Sequence, residues 1–218
     1  TCVAATDLNT TAIQEAVSFD DSGRTLFIEE DISSVKACKK LVSRTIDHFG
    51  QIDILVNCAA FIKRVELADV DEKLWAQHMD INLKSVFFLS KFASEDMCRR
   101  NWGRIINLSS QAGYTGGAMD CVAYAATKGG INTLTKSFAK YLAQYRITVN
   151  AVSPGLVDTK MMTDTLSEDK INELINMVPI KRLSNVKEIA LPILFLSSKW
   201  ANSITGLTLD TNGGMLMR

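Results

Sequence analysis

A tyrosine and a lysine stand four residues apart in the run Tyr124-Ala-Ala-Thr-Lys128. On a helix that spacing puts a phenol and an ammonium on one face. A phenol titrates at about 10, so a neighbouring cation is needed before it exchanges protons efficiently near neutral pH. The same pair arises on many helices by chance, and the chemistry needs a context. That context is Ile105-Ile-Asn-Leu-Ser-Ser110, an apolar strand-like run that ends in hydroxyls just upstream, followed by the glycines Gly113, Gly116 and Gly117. In open α/β sheets ligands gather at the carboxyl ends of strands, where Ser110 would meet Tyr124.

The elements that must position these groups are legible as alternating patterns. Short apolar, β-branched runs at residues 1–6, 25–28, 52–56, 104–108, 147–152 and 207–209 read as strands. Most are apolar on both faces, as a parallel sheet covered by helices on each side requires. Between them the spacing turns helical. In 34–49 the residues Val35, Cys38, Val42, Ile46 and Phe49 recur every three or four positions, after Ser33 and Ser34 and before Gly50. Residues 71–99, 122–144, 167–177 and 186–198 read the same way, the first broken near Asn82. Strand and helix in alternation predict a doubly wound α/β sheet in a single domain spanning 1–218. The excursion at 156–184 is either a segment that covers a substrate or a solvated helical insertion.

Taken together, these stretches resemble the short-chain dehydrogenase/reductase family, whose Rossmann-like fold carries a Ser-Ser pair, a Gly-rich loop and a Tyr-x-x-x-Lys helix in this order. The resemblance implies that Ser110 hydrogen-bonds the substrate oxygen and that Tyr124 is the general acid or base. Lys128 would bind the nicotinamide ribose and lower the Tyr124 pKa. Leu55-Val-Asn57-Cys58-Ala59-Ala60 is similar to the family's Asn-Asn-Ala-Gly motif, departing at Cys58 and Ala60, and places Asn57 and Ala59 towards the cofactor. Met79-Asp-Ile-Asn82 resembles the segment whose Asn completes a catalytic tetrad by holding a proton-relay water. Without that chemistry, Asn82 is a residue that kinks a helix. Asp31 with Ile32 resembles the pair that contacts the adenine. The run from Asn150 through Pro154, Gly155, Val157 and Thr159 resembles the loop that holds the nicotinamide carboxamide. Ile204-Thr-Gly206 through Asn212-Gly213-Gly214 resembles the C-terminal strand and tail, with Asn212 where Asp is usual. The substrate wall is expected from Phe61, Gln111, Cys121, Leu156, Met161 and Met162.

Cofactor choice is read at Asp7, which follows the apolar run at 1–6. A carboxylate there accepts hydrogen bonds from the adenosine ribose and repels a 2′-phosphate, which favours NAD over NADP. Otherwise Asp7 caps the following helix, a role open to Asn9 or Thr10 as well. The family's first strand and its Gly-rich phosphate-binding turn are missing from this sequence, on the order of 30 to 40 residues, or one strand–helix unit. Either the sequence is a piece of a longer protein, or the chain lacks its ordinary phosphate cradle.

Composition excludes several rival classes. Lys plus Arg equals Asp plus Glu at 24 each, and no basic stripe exists to follow a nucleic-acid backbone. No apolar run approaches the ~20 residues that span a bilayer, and no signal-peptide pattern is visible. A cytoplasmic enzyme with a small alcohol or ketone substrate is the expectation. The five cysteines form no CxxC pair and read as reduced thiols. His48 and His78 have no second ligand at metal spacing. By resemblance the chain forms a homo-oligomer, a tetramer or dimer. A scaffold of the same fold that binds a dinucleotide without redox chemistry is the alternative, and it predicts a broken set among Asn82, Ser110, Tyr124 and Lys128.

Overall fold

The computed structural model describes residues 1–9, 11, 24–164 and 166–218, with the side chains at 161 and 163 outside that set. Its centre is β4 (Gly103–Leu108), in which all six residues are buried, paired with β5 (Ile147–Pro154), buried up to Pro154. β3 (Ile54–Asn57) and β6 (Thr208–Thr211) flank them in the order β3-β4-β5-β6. Every pairing is parallel, so Asn57, Leu108, Pro154 and Thr211 end together at one edge.

Alternation along β4 explains the two helical layers. Ile105 packs with Ala93, Met97, Ala139, Leu142 and Val149, which puts α3 (Ser85–Arg100) and α5 (Val122–Leu142) on one face. Ile106 packs with Val152, Ile189 and Leu196, which puts α8 (Val186–Ser197) on the other. α1 (Val35–Phe49) is capped as its sequence predicts. Ser34 accepts from the Ala37 N–H, and Gly50 takes the left-handed conformation at φ 83°. α8 opens on a reciprocal cap between Asn185 and Glu188.

The expected break near Asn82 is a change of helix type. α2 (Glu72–Met79) passes into a π turn, Asp80–Lys84, before α3 begins. Strand boundaries shift by a few residues from the sequence reading: β3 begins at Ile54, and β6 runs to Thr211. The 156–184 excursion holds two short helices, α6 (Lys160–Thr163) and α7 (Glu168–Met177). Its ends are tied by bonds from Asp158 N–H to the Ser184 carbonyl at 2.9 Å and from Ser184 N–H to the Leu156 carbonyl at 3.0 Å.

β1 (Val3–Asp7) and β2 (Thr25–Glu29) form a separate parallel pair. Between β1 and β3 lies a trough of about 1060 Å³, lined by Val3, Ala4, Ile54, Val56 and Leu89 among others. Val3, Ile54 and Val56 stay exposed along it, as does Leu194 on α8.

Candidate active site

The carboxyl end of β4 is locked to α5 by two neighbouring serines with different jobs. Ser109 points inward and donates to Asn132 Oδ1 at 2.6 Å and to the Lys128 carbonyl at 3.2 Å. Ser110 faces Tyr124, whose phenol pKa it lowers, and its hydroxyl accepts from the Ala112 N–H at 3.1 Å. The polypeptide then makes one helical turn, α4 (Ala112–Thr115), pressed against α5. A Cβ at Gly113 would stand 2.6 Å from the Lys128 carbonyl carbon, so only glycine permits this approach.

Lys128 is fully buried, and its Nζ donates to the Leu108 carbonyl at 2.7 Å. It lies 5.4 Å from the centre of the Tyr124 ring. Burial pushes its pKa down to about 8, partly opposed by Cys58. Burial pushes the Tyr124 phenol up to about 12, against the lowering pull of the Ser110 hydroxyl and the charge of Arg64. The expected lowering of the Tyr124 pKa by Lys128 is therefore not the governing effect here. The ammonium faces the ring and a backbone carbonyl, and desolvation outweighs the remaining charges. At neutral pH the phenol holds its proton.

Asn82 is buried completely and makes both halves of its amide structural. Its Oδ1 accepts from the Phe61 N–H at 2.7 Å, and its Nδ2 donates to the Phe61 carbonyl at 2.8 Å and to Thr127 Oγ1 at 3.3 Å. One side chain thus joins the loop after β3 to the helix of Tyr124 and Lys128. Asn57 ends a second polar chain: its Nδ2 donates to Ser90 Oγ at 3.2 Å and to Asn107 Oδ1 at 2.8 Å, and Asn107 passes a bond to Thr135 at 3.0 Å. The Asn57 Oδ1 is buried without a partner.

The other expected positions spread along the same edge. Asp7 is exposed at the end of β1, where its Oδ1 accepts from the Asn9 N–H at 3.2 Å. Asn9 in turn accepts from the Thr11 N–H at 2.9 Å, while Thr10 lies outside the described residues. Asp31 is exposed and accepts from the Ser33 N–H. Ile32 packs into a core cluster with Cys38, Val42 and Leu89 and also lines the trough. Ala59 is exposed just past β3. Past β5, the Gly155 N–H donates to the Thr211 carbonyl at 3.3 Å, Val157 bridges to Ser184, and Thr159 precedes α6 with its hydroxyl donating to the Val157 carbonyl at 3.4 Å.

Of the expected substrate wall, Phe61 meets the tilted ring of His78 with centroids 4.8 Å apart, and Gln111 reaches Met215 with its Nε2 at 3.5 Å. Cys121 and Met162 are buried and Leu156 is half-buried, while the Met161 side chain lies outside the described set. Burial raises the thiol pKa of Cys38, Cys58, Cys98 and Cys121. Sequence reasoning missed the ion pair between Arg64 and Asp120, 2.8 Å apart, which joins the loop after β3 to the start of α5. No periodicity or motif flags two charges 56 positions apart.

Several residues suit a nicotinamide dinucleotide. The buried Lys128 ammonium has one hydrogen-bond acceptor and donors to spare for ribose hydroxyls, and the Asp7 carboxylate has room for more than one backbone N–H. The unpartnered Asn57 Oδ1 lies at the same edge of the sheet. No Gly-rich strand-to-helix turn for a pyrophosphate exists among the described residues.

Comparison with known proteins agrees with this geometry. A family model described as Enoyl-(Acyl carrier protein) reductase matches residues 1–216. The chain is 38% identical over 190 residues to the 3-oxoacyl-[acyl-carrier-protein] reductase FabG of Staphylococcus aureus, covering 87% of this chain and 76% of that relative. It is 37% identical over 202 residues to Nodulation protein G of Azospirillum brasilense, covering 93% and 80%. A crystal structure of a short-chain dehydrogenase/reductase, glucose/ribitol dehydrogenase, from Brucella melitensis superposes with a TM-score of 0.90 at 32% identity, covering all of this chain and 87% of the other. With the parallel sheet, the serine at its edge and the Tyr-x-x-x-Lys helix beside it, the chain belongs to the short-chain dehydrogenase/reductase family of oxidoreductases.

Proposed function

We propose that the protein interconverts a ketone and a secondary alcohol with NAD as its cofactor, and that its site is set for reduction near neutral pH. The observation that carries this reading is the phenol of Tyr124 beside Ser110, its pKa pushed up to about 12 by burial. A protonated phenol is a general acid. It donates its proton to the oxygen of a carbonyl as that oxygen gains charge, while the Ser110 hydroxyl orients the same oxygen. A nicotinamide ring supplies or accepts the hydride when bound. Lys128 would hold the ribose, with Asn57, Ala59, Pro154, Gly155, Val157 and Thr159 along the edge and Asp7, Asp31 and Ile32 towards the adenosine. Asn82 would keep the Phe61 loop and Thr127 in register, with a relay water as its further role.

The names of the relatives favour 3-oxoacyl thioesters among the substrates to try, and an assembly of two or four copies is part of the same reading. Residues 156–184, tied at both ends, would cover the substrate. The intact set Asn82, Ser110, Tyr124 and Lys128 argues against the alternative of a scaffold without catalysis.

The test is reduction of a panel of ketones and 3-oxoacyl thioesters, followed at the absorbance of the reduced nicotinamide, in parent and Tyr124→Phe protein. The phenylalanine variant loses on the order of 10²- to 10⁴-fold in turnover, with cofactor binding little changed. Reduction slows as pH climbs towards the Tyr124 pKa. Parent-like turnover in Tyr124→Phe would sink the mechanism.

A further inference from the structure

In the loop that meets the start of the Tyr124 helix sits a guanidinium with a donor unspent. Arg64 lies in the loop after β3, and its Nη1 donates to Asp120 Oδ1 at 2.8 Å. The Val65 N–H donates to the Asp120 carbonyl at 2.9 Å, so backbone and side chain hold the same two segments together. Asp120 directly precedes Cys121, the last residue before α5, and Tyr124 follows within the first turn. The charge of Arg64 acts on both Tyr124 and Cys121, pulling their pKa values down against the burial that raises them.

The Nε of Arg64 is buried and has no hydrogen-bond partner. An unmet buried donor is costly, and one on a charged group more so. Arginine presents its donors along flat edges, and the edge made by Nε and Nη2 grips a carboxylate through two parallel bonds. Asp120 is bonded to Nη1, which leaves the Nε donor for another acceptor. A lysine would offer a point charge without such an edge.

We propose that Arg64 determines the substrate specificity of this site, and that the preferred substrate is an oxo or hydroxy compound bearing a carboxylate. The Nε edge of Arg64 grips that carboxylate while Asp120 holds the guanidinium in place. The proposal rests on the oxidoreductase reading above and narrows its substrate class. The competing description is a staple that only joins two loops.

Acetoacetate and levulinate, each against its methyl ester, separate the two descriptions. In the parent the acid exceeds the ester at least tenfold in kcat/KM, the difference carried by KM. In Arg64→Met the ratio falls to near one because the KM of the acid rises, and Arg64→Lys lies between. A parent ratio near one, or a ratio that survives in Arg64→Met, overturns the proposal. Should the methionine variant fail to fold, a fall in the ratio in Arg64→Lys supports the proposal and an unchanged ratio overturns it. Calorimetric titration with levulinate decides the matter without turnover. Binding that is present in the parent and lost in Arg64→Met supports the acid site even where no ketone is reduced, an outcome that removes the proposed activity alone. Equal binding by both proteins, or binding by neither, overturns it.

Discussion

The two ends of the sheet are built to different standards. β4 and β5 are buried almost throughout, flanked by strands on both sides and helices on both faces, and they carry Ser110 and the loop from Pro154. β1 is paired with β2 alone among the described residues, exposes Val3 and Asp7, and faces the trough on its other side. Proton transfer tolerates little error in position, and the phenol, serine and lysine are fixed by packing and by bonds from Ser109, Asn82 and Gly113's close contact. Reading a ribose needs only a carboxylate at a strand end. The difference shows which group of this chain is set by the core and which by a local strand pair.

The largest effect expected from that difference is in hydrogen exchange. In the 218-residue chain, amides of residues 105–108 and 149–152 should exchange on the order of a thousandfold more slowly than those of residues 4–6. Equal protection would erase the distinction between the two ends.

The next test sharpens the catalytic end. Lys128 has a folded pKa of about 8 against an ordinary 10.5. Between those values the unfolded chain binds the extra proton, so stability rises as pH climbs from about 8 to about 10.5. The gain amounts to roughly 3 kcal/mol at most. Below that window the charged ammonium weakens the fold by the same amount. Urea unfolding at about pH 7.5 and about pH 10 should show this slope in the difference between parent and Lys128→Met, in which the opposing contribution of the buried thiols cancels; the variant also loses turnover. An identical slope in both proteins would mean that the ammonium is solvated.

The smallest effect belongs to the strand pair. Asp7→Ala should move the preference between NAD and NADP by about ten- to a hundredfold towards NADP, since no 2′-phosphate then meets a carboxylate. The measurement is the ratio of kcat/KM values for the two cofactors. An unchanged ratio would leave Asp7 as the partner of the Asn9 N–H and nothing more.

Much of this molecule can be read before folding, for reasons that lie in period and local chemistry. The run at 104–108 is apolar on both faces because both faces of β4 are covered, and Ser34 with Gly50 mark α1 because capping is local. The Tyr124 and Lys128 spacing is equally local. What could not be read depends on segments meeting from far along the chain. Nothing in residues near Asn82 announces that its amide clamps the Phe61 backbone, or that Lys128 reaches the Leu108 carbonyl. The raised pKa of Tyr124 belongs to the same class, since burial is a property of the packed fold.

The π turn at Asp80–Lys84 has a consequence for comparing or redesigning related chains. Each residue of an α-helix advances the face by about 100°, so a turn that closes from Ser85 N–H to the Asp80 carbonyl acts as a phase shift between α2 and α3. An alignment that treats residues 72–100 as one uninterrupted helix assigns the wrong face to one half. Removing a single residue there would restore an ordinary α-helix and swing Asn82 or the core face of α3 out of phase with its partners. The irregular turn is therefore a coordinate of the site in its own right: it lets one continuous rod present Leu74 and His78 to one set of neighbours and Val86, Leu89 and Ala93 to another.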